Sequence, residues 1–273
     1  MKQRIKNIIP DSIKTTIKGM FAAKPKYGWF GNYSNWKAAK DMCTGYDSDV
    51  ILEKVKEAVL KVKNGEAVYE RDSVLFDTIE YSQPLLDAFV SIAKESNNEL
   101  HVVDFGGSLG SSYFQNRSFL SDVSKLEWSI VEQKHFVDCG KKSIESEQLK
   151  FYYTIEDALN RGKANVLFAS SVMQYFESPY ELIAKCLNHN FDYIIIDRTA
   201  FLESPEERIT IQIVPESIYK ASYPAWFFNE QKFIQAFLGK YRLVNEFDSK
   251  FDPREKLDDK VWSYRKGFVF KKK

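Results

Sequence analysis

The chain has 273 residues, 39 Lys+Arg against 38 Asp+Glu, 44% hydrophobic and 15% aromatic residues. This length and apolar content exclude a disordered chain, and near-neutral charge excludes a strongly basic nucleic-acid binder. No apolar run approaches the roughly 18 residues of a transmembrane helix, and the first residues lack a signal peptide's apolar core. A cytoplasmic protein is expected. Cys43, Cys139 and Cys186 are odd in number and far apart. They form neither a recognisable disulfide framework nor a metal motif, so no metal is expected.

The charge is unevenly spread. Residues 1–26 hold seven basic residues against Asp11 alone, a net of +6, which leaves −5 for the rest. Within them Ile13, Ile17, Met20 and Phe21 recur at helical spacing. A basic amphipathic helix here fits peripheral contact of residues 1–24 with an anionic membrane surface, on the inner face of the membrane for a cytoplasmic protein. It equally fits packing on the protein or on a partner. Residues 27–46 read as an aromatic loop. A helix follows from Ser48 or Asp49, with Ile51, Val55, Ala58, Val59 and Val62 as one stripe and Asn64-Gly65 as its end. A further helix is predicted over 84–94.

From residue 100 short apolar runs alternate with helical segments, the pattern of a parallel sheet. Strands are predicted at 100–105, 127–131, 150–153, 165–169 and 193–197, with helices near 110–121, 134–146, 155–161 and 179–188. After Asp197 about thirty residues precede a helix near 229–238, and strands at 241–247 and 266–270 complete the pattern. Right-handed crossovers turn the first five strands into a doubly wound sheet. Three regions follow: a basic segment 1–26, a helical and aromatic region 27–94, and a sheet domain 95–273.

The most informative segment ends the first strand: Asp104-Phe-Gly106-Gly107-Ser108-Leu-Gly110. Glycines permit a tight turn and close approach of backbone to ligand. The second strand ends in Glu132, 22 residues past Gly110, where a carboxylate can accept both hydroxyls of a ribose. The spacing misses the three glycines that dinucleotide enzymes need. It fits better the acid-x-Gly-x-Gly-x-Gly turn of S-adenosylmethionine (SAM) enzymes, with Ser108 at the middle glycine. Ser170 and Ser171 follow the fourth strand, on the edge facing the cofactor, with Tyr175 beyond them. The last two strands fit the antiparallel hairpin that separates methyltransferases from dinucleotide folds.

With these blocks, Tyr27-Gly-Trp-Phe-Gly31, Ser170-Ser-Val-Met-Gln-Tyr175 and Tyr223-Pro-Ala-Trp-Phe-Phe228, the chain resembles SAM-dependent methyltransferases encoded among bacterial surface-polysaccharide, O-antigen-type, genes. The resemblance implies a class I methyltransferase, Rossmann-like α/β fold, mostly parallel with an antiparallel C-terminal strand, and SAM as cofactor. It implies no particular acceptor; a glycan or glycan precursor is a matter of genomic association.

For a hydroxyl acceptor the enzyme must align the oxygen and remove its proton. Asp197, at the end of the fifth strand, and His135, three residues after Glu132, are the candidate bases. Arg198, Tyr219, Tyr223 and Tyr175 are candidates for holding a small-molecule acceptor, since aromatic faces suit a sugar ring. Trp29, Phe30 and Tyr33 are placed to cover the same cleft. Two other readings remain open at this point: a nicotinamide-dependent oxidoreductase, and a non-catalytic interaction subunit whose cleft is occluded.

Overall fold

The structure is a computed structural model that describes residues 27–45, 48–257 and 261–273. The predicted basic helix of residues 1–26, with its membrane contact, lies outside the described residues. In chain order the elements are β1 (Gly28–Tyr33), α1 (Trp36–Lys40), α2 (Ser48–Lys63), β2 (Tyr69–Arg71), β3 (Val74–Phe76), α3 (Gln83–Glu95), β4 (Glu99–Phe105) and α4 (Ser111–Asn116). Next come β5 (Lys125–Val131), α5 (Lys134–Ser143), β6 (Leu149–Tyr152), α6 (Ile155–Leu159), β7 (Val166–Ser170), α7 (Pro179–Cys186) and β8 (Tyr193–Leu202). The rest are β9 (Arg208–Ile213), β10 (Ser222–Phe227), α8 (Glu230–Gln235), β11 (Tyr241–Asp248), β12 (Glu255–Lys256) and β13 (Trp262–Lys272).

The central sheet runs β6-β5-β4-β7-β8-β13-β11, and β12 adds to β13. Strands β4 to β8 in it are mutually parallel, while β13 is antiparallel to both β8 and β11. This is the strand order of a class I methyltransferase, with the crossover between β4 and β7 opening a crevice at the strands' carboxyl ends. A dinucleotide fold would place a sixth parallel strand where β13 runs reversed.

Both faces of the sheet are buried, which is why its strands read as near-continuous apolar runs. Val102, Val166, Phe168 and Ile195 point to one face, where they meet Val59 of α2, Phe89 of α3, Phe114 of α4 and Phe136 of α5. Their neighbours Val103, Leu167, Ala169, Ile194 and Ile196 point to the other, against Ala158 of α6, Ile183 of α7 and Phe233 of α8. The period-2 alternation thus separates two cores rather than a core from solvent.

Two expectations are corrected. Residues 27–46 are not simply an aromatic loop: β1 and α1 lie there. The strand predicted to end at 197 does not stop there: β8 runs on to Leu202, and β9 and β10 lie in the stretch before the next helix. Strands β1, β9 and β10 form a separate antiparallel sheet in the order β1-β9-β10. Pro224 sits in β10, an edge strand of that sheet, where a missing N–H is tolerated. A short hairpin, β2–β3, is also present.

Candidate active site

The crevice at the carboxyl ends of β4, β5, β7 and β8 is a cleft of about 880 Å³. Its floor is the turn after β4. Gly106, Ser108 and Gly110 take φ of +74°, +54° and +100°, so three residues of this turn are left-handed. Such a conformation is nearly free for glycine and costs other residues roughly 1–2 kcal/mol. Ser108 therefore occupies a glycine-type position, as the motif expects, and bears that cost. Its N–H donates to the Glu132 carboxylate, which also accepts from the Gln133 N–H at 2.5 Å. Two backbone donors thus orient Glu132 at the mouth of β5, while burial pushes its carboxyl up.

Asp104 lies beneath the turn. It is buried, accepts from the Trp128 Nε1–H at 2.9 Å, and a Cβ on Gly107 would stand 2.5 Å from its carboxyl carbon. That contact explains why position 107 has no side chain. Burial is the dominant cause that pushes Asp104 up to about 7; the Trp128 bond opposes it and the Glu132 charge adds to it. Gly106 faces the loop after β7, where a Cβ would meet Val172 Cγ2 at 2.3 Å. Gly110 instead packs on the sheet, 3.2 Å from Leu149 Cδ2 for an added Cβ, and does not line the cleft.

On the other side of the crossover, Ser170, Ser171, Asp197 and Arg198 line the cleft. Asp197 and Arg198 together oppose the single residue Gly267 of β13, since Ile196 pairs with Phe268 and Thr199 with Lys266. This two-against-one β-bulge turns both side chains toward the cleft. Ser170 Oγ donates to Asp197 Oδ2 at 3.2 Å. Burial pushes Asp197 up to about 6, against the lowering effect of Arg198 and the Ser170 bond. Arg198 is itself held: Nε donates to Asp252 at 2.9 Å, and Nη2 to Asp252 at 3.2 Å and to Asp72 at 3.1 Å. Its charge is shared with two carboxylates of the fold.

The far wall comes from the second sheet. Tyr175, in the turn after β7, donates to Gln212 of β9 at 2.8 Å and meets Tyr223 of β10 edge to face at 5.2 Å. Tyr219 hydrogen-bonds Tyr223. The three predicted tyrosines therefore converge on one wall. Trp29 lines the cleft too, under the Arg265 guanidinium at 4.4 Å, whereas Phe30 and Tyr33 do not.

His135 is not among the lining residues; its ring packs on Phe136 and its Nε2 is buried without a hydrogen-bond partner. The helical twist explains this: three residues past Glu132, the side chain has entered α5 and turned off the strand edge. Sequence reasoning missed Glu70, Arg71, Asp72 and Ser73 of the β2–β3 hairpin, all of which line the cleft. Asp72 and Ser73 have φ of +53° and +69°, a type I′ turn without the glycine that usually announces one.

No family model and no curated protein sequence matches this chain. Solved structures do resemble it. A magnesium protoporphyrin IX methyltransferase from Synechocystis PCC 6803 with bound SAM is 13% identical, covers 70% of this chain and 79% of its own, and has a TM-score of 0.44. A SAM-dependent methyltransferase from Clostridium acetobutylicum is 11% identical, with 70% and 92% covered and a TM-score of 0.44. A 1,6-didemethyltoxoflavin-N1-methyltransferase from Burkholderia thailandensis, with its substrate and S-adenosylhomocysteine bound, is 10% identical, with 84% and 94% covered and a TM-score of 0.42. At this distance the chain's own residues must carry any functional reading.

Proposed function

We propose that the protein is a SAM-dependent methyltransferase acting on a hydroxyl of a small, saccharide-type molecule. The observation that carries this reading is the left-handed Gly106–Ser108 turn laid against Glu132, at the switch point of a sheet whose β13 runs antiparallel. A side chain at 106 or 107 would collide with Val172 or Asp104, so the turn leaves backbone, not side chains, facing the cleft. That cradle fits a nucleoside, with Glu132 to accept from the ribose hydroxyls and Gly106, Gly107 and Ser108 along it. When bound, SAM supplies a methyl carbon made electrophilic by its sulfonium.

The remaining chemistry belongs to the chain. Tyr175, Tyr219 and Tyr223 present aromatic edges and hydroxyls that orient a polar ring. Asp197 accepts the acceptor's hydroxyl proton on Oδ1 or Oδ2, and Ser170 holds the carboxyl in place. A carboxyl raised to about 6 is still mainly ionised at neutral pH and is a stronger base than a solvated aspartate. The aromatic walls exclude water from the reacting oxygen. The reversed β13 disfavours the oxidoreductase reading, and the open cleft disfavours the occluded-subunit reading.

Isothermal titration with SAM and S-adenosylhomocysteine tests the assignment. Binding of both is expected, and no binding of either at millimolar concentration would overturn it. Asp197→Asn is expected to keep S-adenosylhomocysteine affinity and lose turnover once an acceptor is found.

A further inference from the structure

The antiparallel register of the second sheet puts three cleft residues in one row. Gln212 of β9 lies opposite both Trp29 of β1 and Tyr223 of β10. Directly paired residues share a face of the sheet, and all three are half-buried and line the cleft. Ile211 and Ile209, one and three places back, turn to the other face and pack with Ala39 of α1. Pairing thus fixes a wall that is aromatic at both ends with an amide between them.

The polar groups of this wall keep donors open. Gln212 Oε1 is taken, since it accepts from the Tyr175 hydroxyl at 2.8 Å. Its Nε2 has no hydrogen-bond partner among the described residues and is not sealed from solvent. Arg265 of β13 stands over Trp29, 4.4 Å from the ring centroid, with its side chain 6% exposed. Its Nη1 donates to Glu255 at 2.8 Å. Nε and Nη2 bond nothing among the described residues and, unlike Arg71 Nη1, are not sealed. Arg265 lines the cleft, so a guanidinium more than nine-tenths buried retains unused donors at its edge. Leaving such groups without a partner costs about 1–3 kcal/mol each, which a ligand's oxygens would recover.

The surrounding charge decides what those donors receive. Arg265 acts on Tyr175 and on Asp252, and Asp252 is bonded to Arg198. Carboxylates are in excess at this end: Asp72, Asp197, Asp252 and Glu255 against Arg198 and Arg265. Glu70 and Arg71 of the hairpin cancel and leave that excess unchanged. A further anion brought here would be repelled, whereas oxygen lone pairs without net charge accept from the same donors.

We propose that the Trp29–Gln212–Tyr223 row is the seat of the acceptor and that it takes an uncharged sugar ring. Resting on the methyltransferase reading above, this ring is the one that receives the methyl group. Its C–H face lies on the aromatic ends of the row, and its oxygens accept from Arg265 and the Gln212 amide. A hydroxyl is left for Asp197. Rings that carry a carboxylate or a phosphate are rejected.

Saturation-transfer NMR on the protein saturated with S-adenosylhomocysteine tests this with two sets of probes. The neutral set is the methyl pyranosides of glucose, galactose, mannose and rhamnose. The acidic set is glucuronate, galacturonate and glucose 1-phosphate. Transfer to at least one neutral glycoside is expected, with none to the acids. Gln212→Glu keeps an oxygen for Tyr175 but removes the amide donor, and should weaken that sugar by about 3- to 10-fold. Trp29→Ala should also weaken it, and both variants should keep wild-type affinity for S-adenosylhomocysteine. Thermal melting checks folding, and the isosteric Gln212→Glu decides alone if Trp29→Ala is unfolded. No transfer to any neutral glycoside, equal or stronger transfer to the acids, or wild-type sugar binding in the folded variants would overturn the proposal. If S-adenosylhomocysteine does not bind wild type, the methyltransferase reading fails, and transfer to the same sugars without it still decides whether the row is a sugar seat.

Discussion

Replacing Asp104 with asparagine should stabilise the protein at alkaline pH and change little in acid. Asparagine keeps an oxygen to accept from Trp128 Nε1 but cannot ionise. The wild-type carboxyl is buried and its pKa is raised from 3.8 to about 7, burial being the main cause. The folded state therefore holds this proton more tightly than the unfolded chain does. Its stabilising contribution is complete below about pH 3.8 and is lost as pH rises through about 7. At about 1.36 kcal/mol for each tenfold change in proton affinity, the rise from 3.8 to about 7 puts an upper bound on the order of 4 kcal/mol on that loss. Urea denaturation of wild type and Asp104→Asn at pH 4.5 and pH 8.5 measures it. The variant's advantage should grow by several kcal/mol between the two, at unchanged m-value. A difference between the proteins that is the same at both pH values would refute the argument, because it would mean that Asp104 is not desolvated beneath the turn.

Glu132→Ala should weaken S-adenosylhomocysteine by about 1.5–3 kcal/mol in titration calorimetry, the range for hydrogen bonds to a charged group; unchanged affinity would remove Glu132 from the ribose site. Gly106→Ala places a Cβ 2.3 Å from Val172 Cγ2 at a φ of +74°, and should cost about 1–3 kcal/mol of stability. Val172→Ala should recover part of that loss, a coupling that a double-mutant cycle reads directly. Arg198→Met should cost about 1.5–3 kcal/mol in chemical denaturation, because it removes the bidentate partner of the half-buried Asp252 and leaves it only the Ser249 hydroxyl. Asp72→Asn should cost far less, Asp72 being largely exposed.

The central strands are legible because burial on both faces writes each one as an apolar run, Tyr193–Ile196 and Val166–Ala169 being the plainest. The turn is legible for a different reason. Left-handed backbone excludes most side chains, so Gly106 and Gly110 mark it, and an acid at the end of the next strand completes the pattern. The second sheet leaves no such trace. β1 pairs Gly28 with Ile213 and Trp29 with Gln212, partners far along the chain, and its own residues show no clean alternation. The hairpin strands β2 and β3 are three residues each, shorter than any periodicity can register.

The sequence alone thus determined the sheet, its class and the position of the glycine turn, since each depends on burial or on a local φ. Which acids and bases share the cleft was decided only in three dimensions. The bulge at Asp197 and Arg198 exists because two residues of β8 must span one residue of β13. The tyrosine wall exists because the turn after β7 packs beneath β9 and β10. Glu70 and Arg71 join the lining of the cleft because tertiary packing sets their hairpin beside Ser111 of α4 and Arg198 of β8. Each depends on partners distant in the chain, which local spacing does not record.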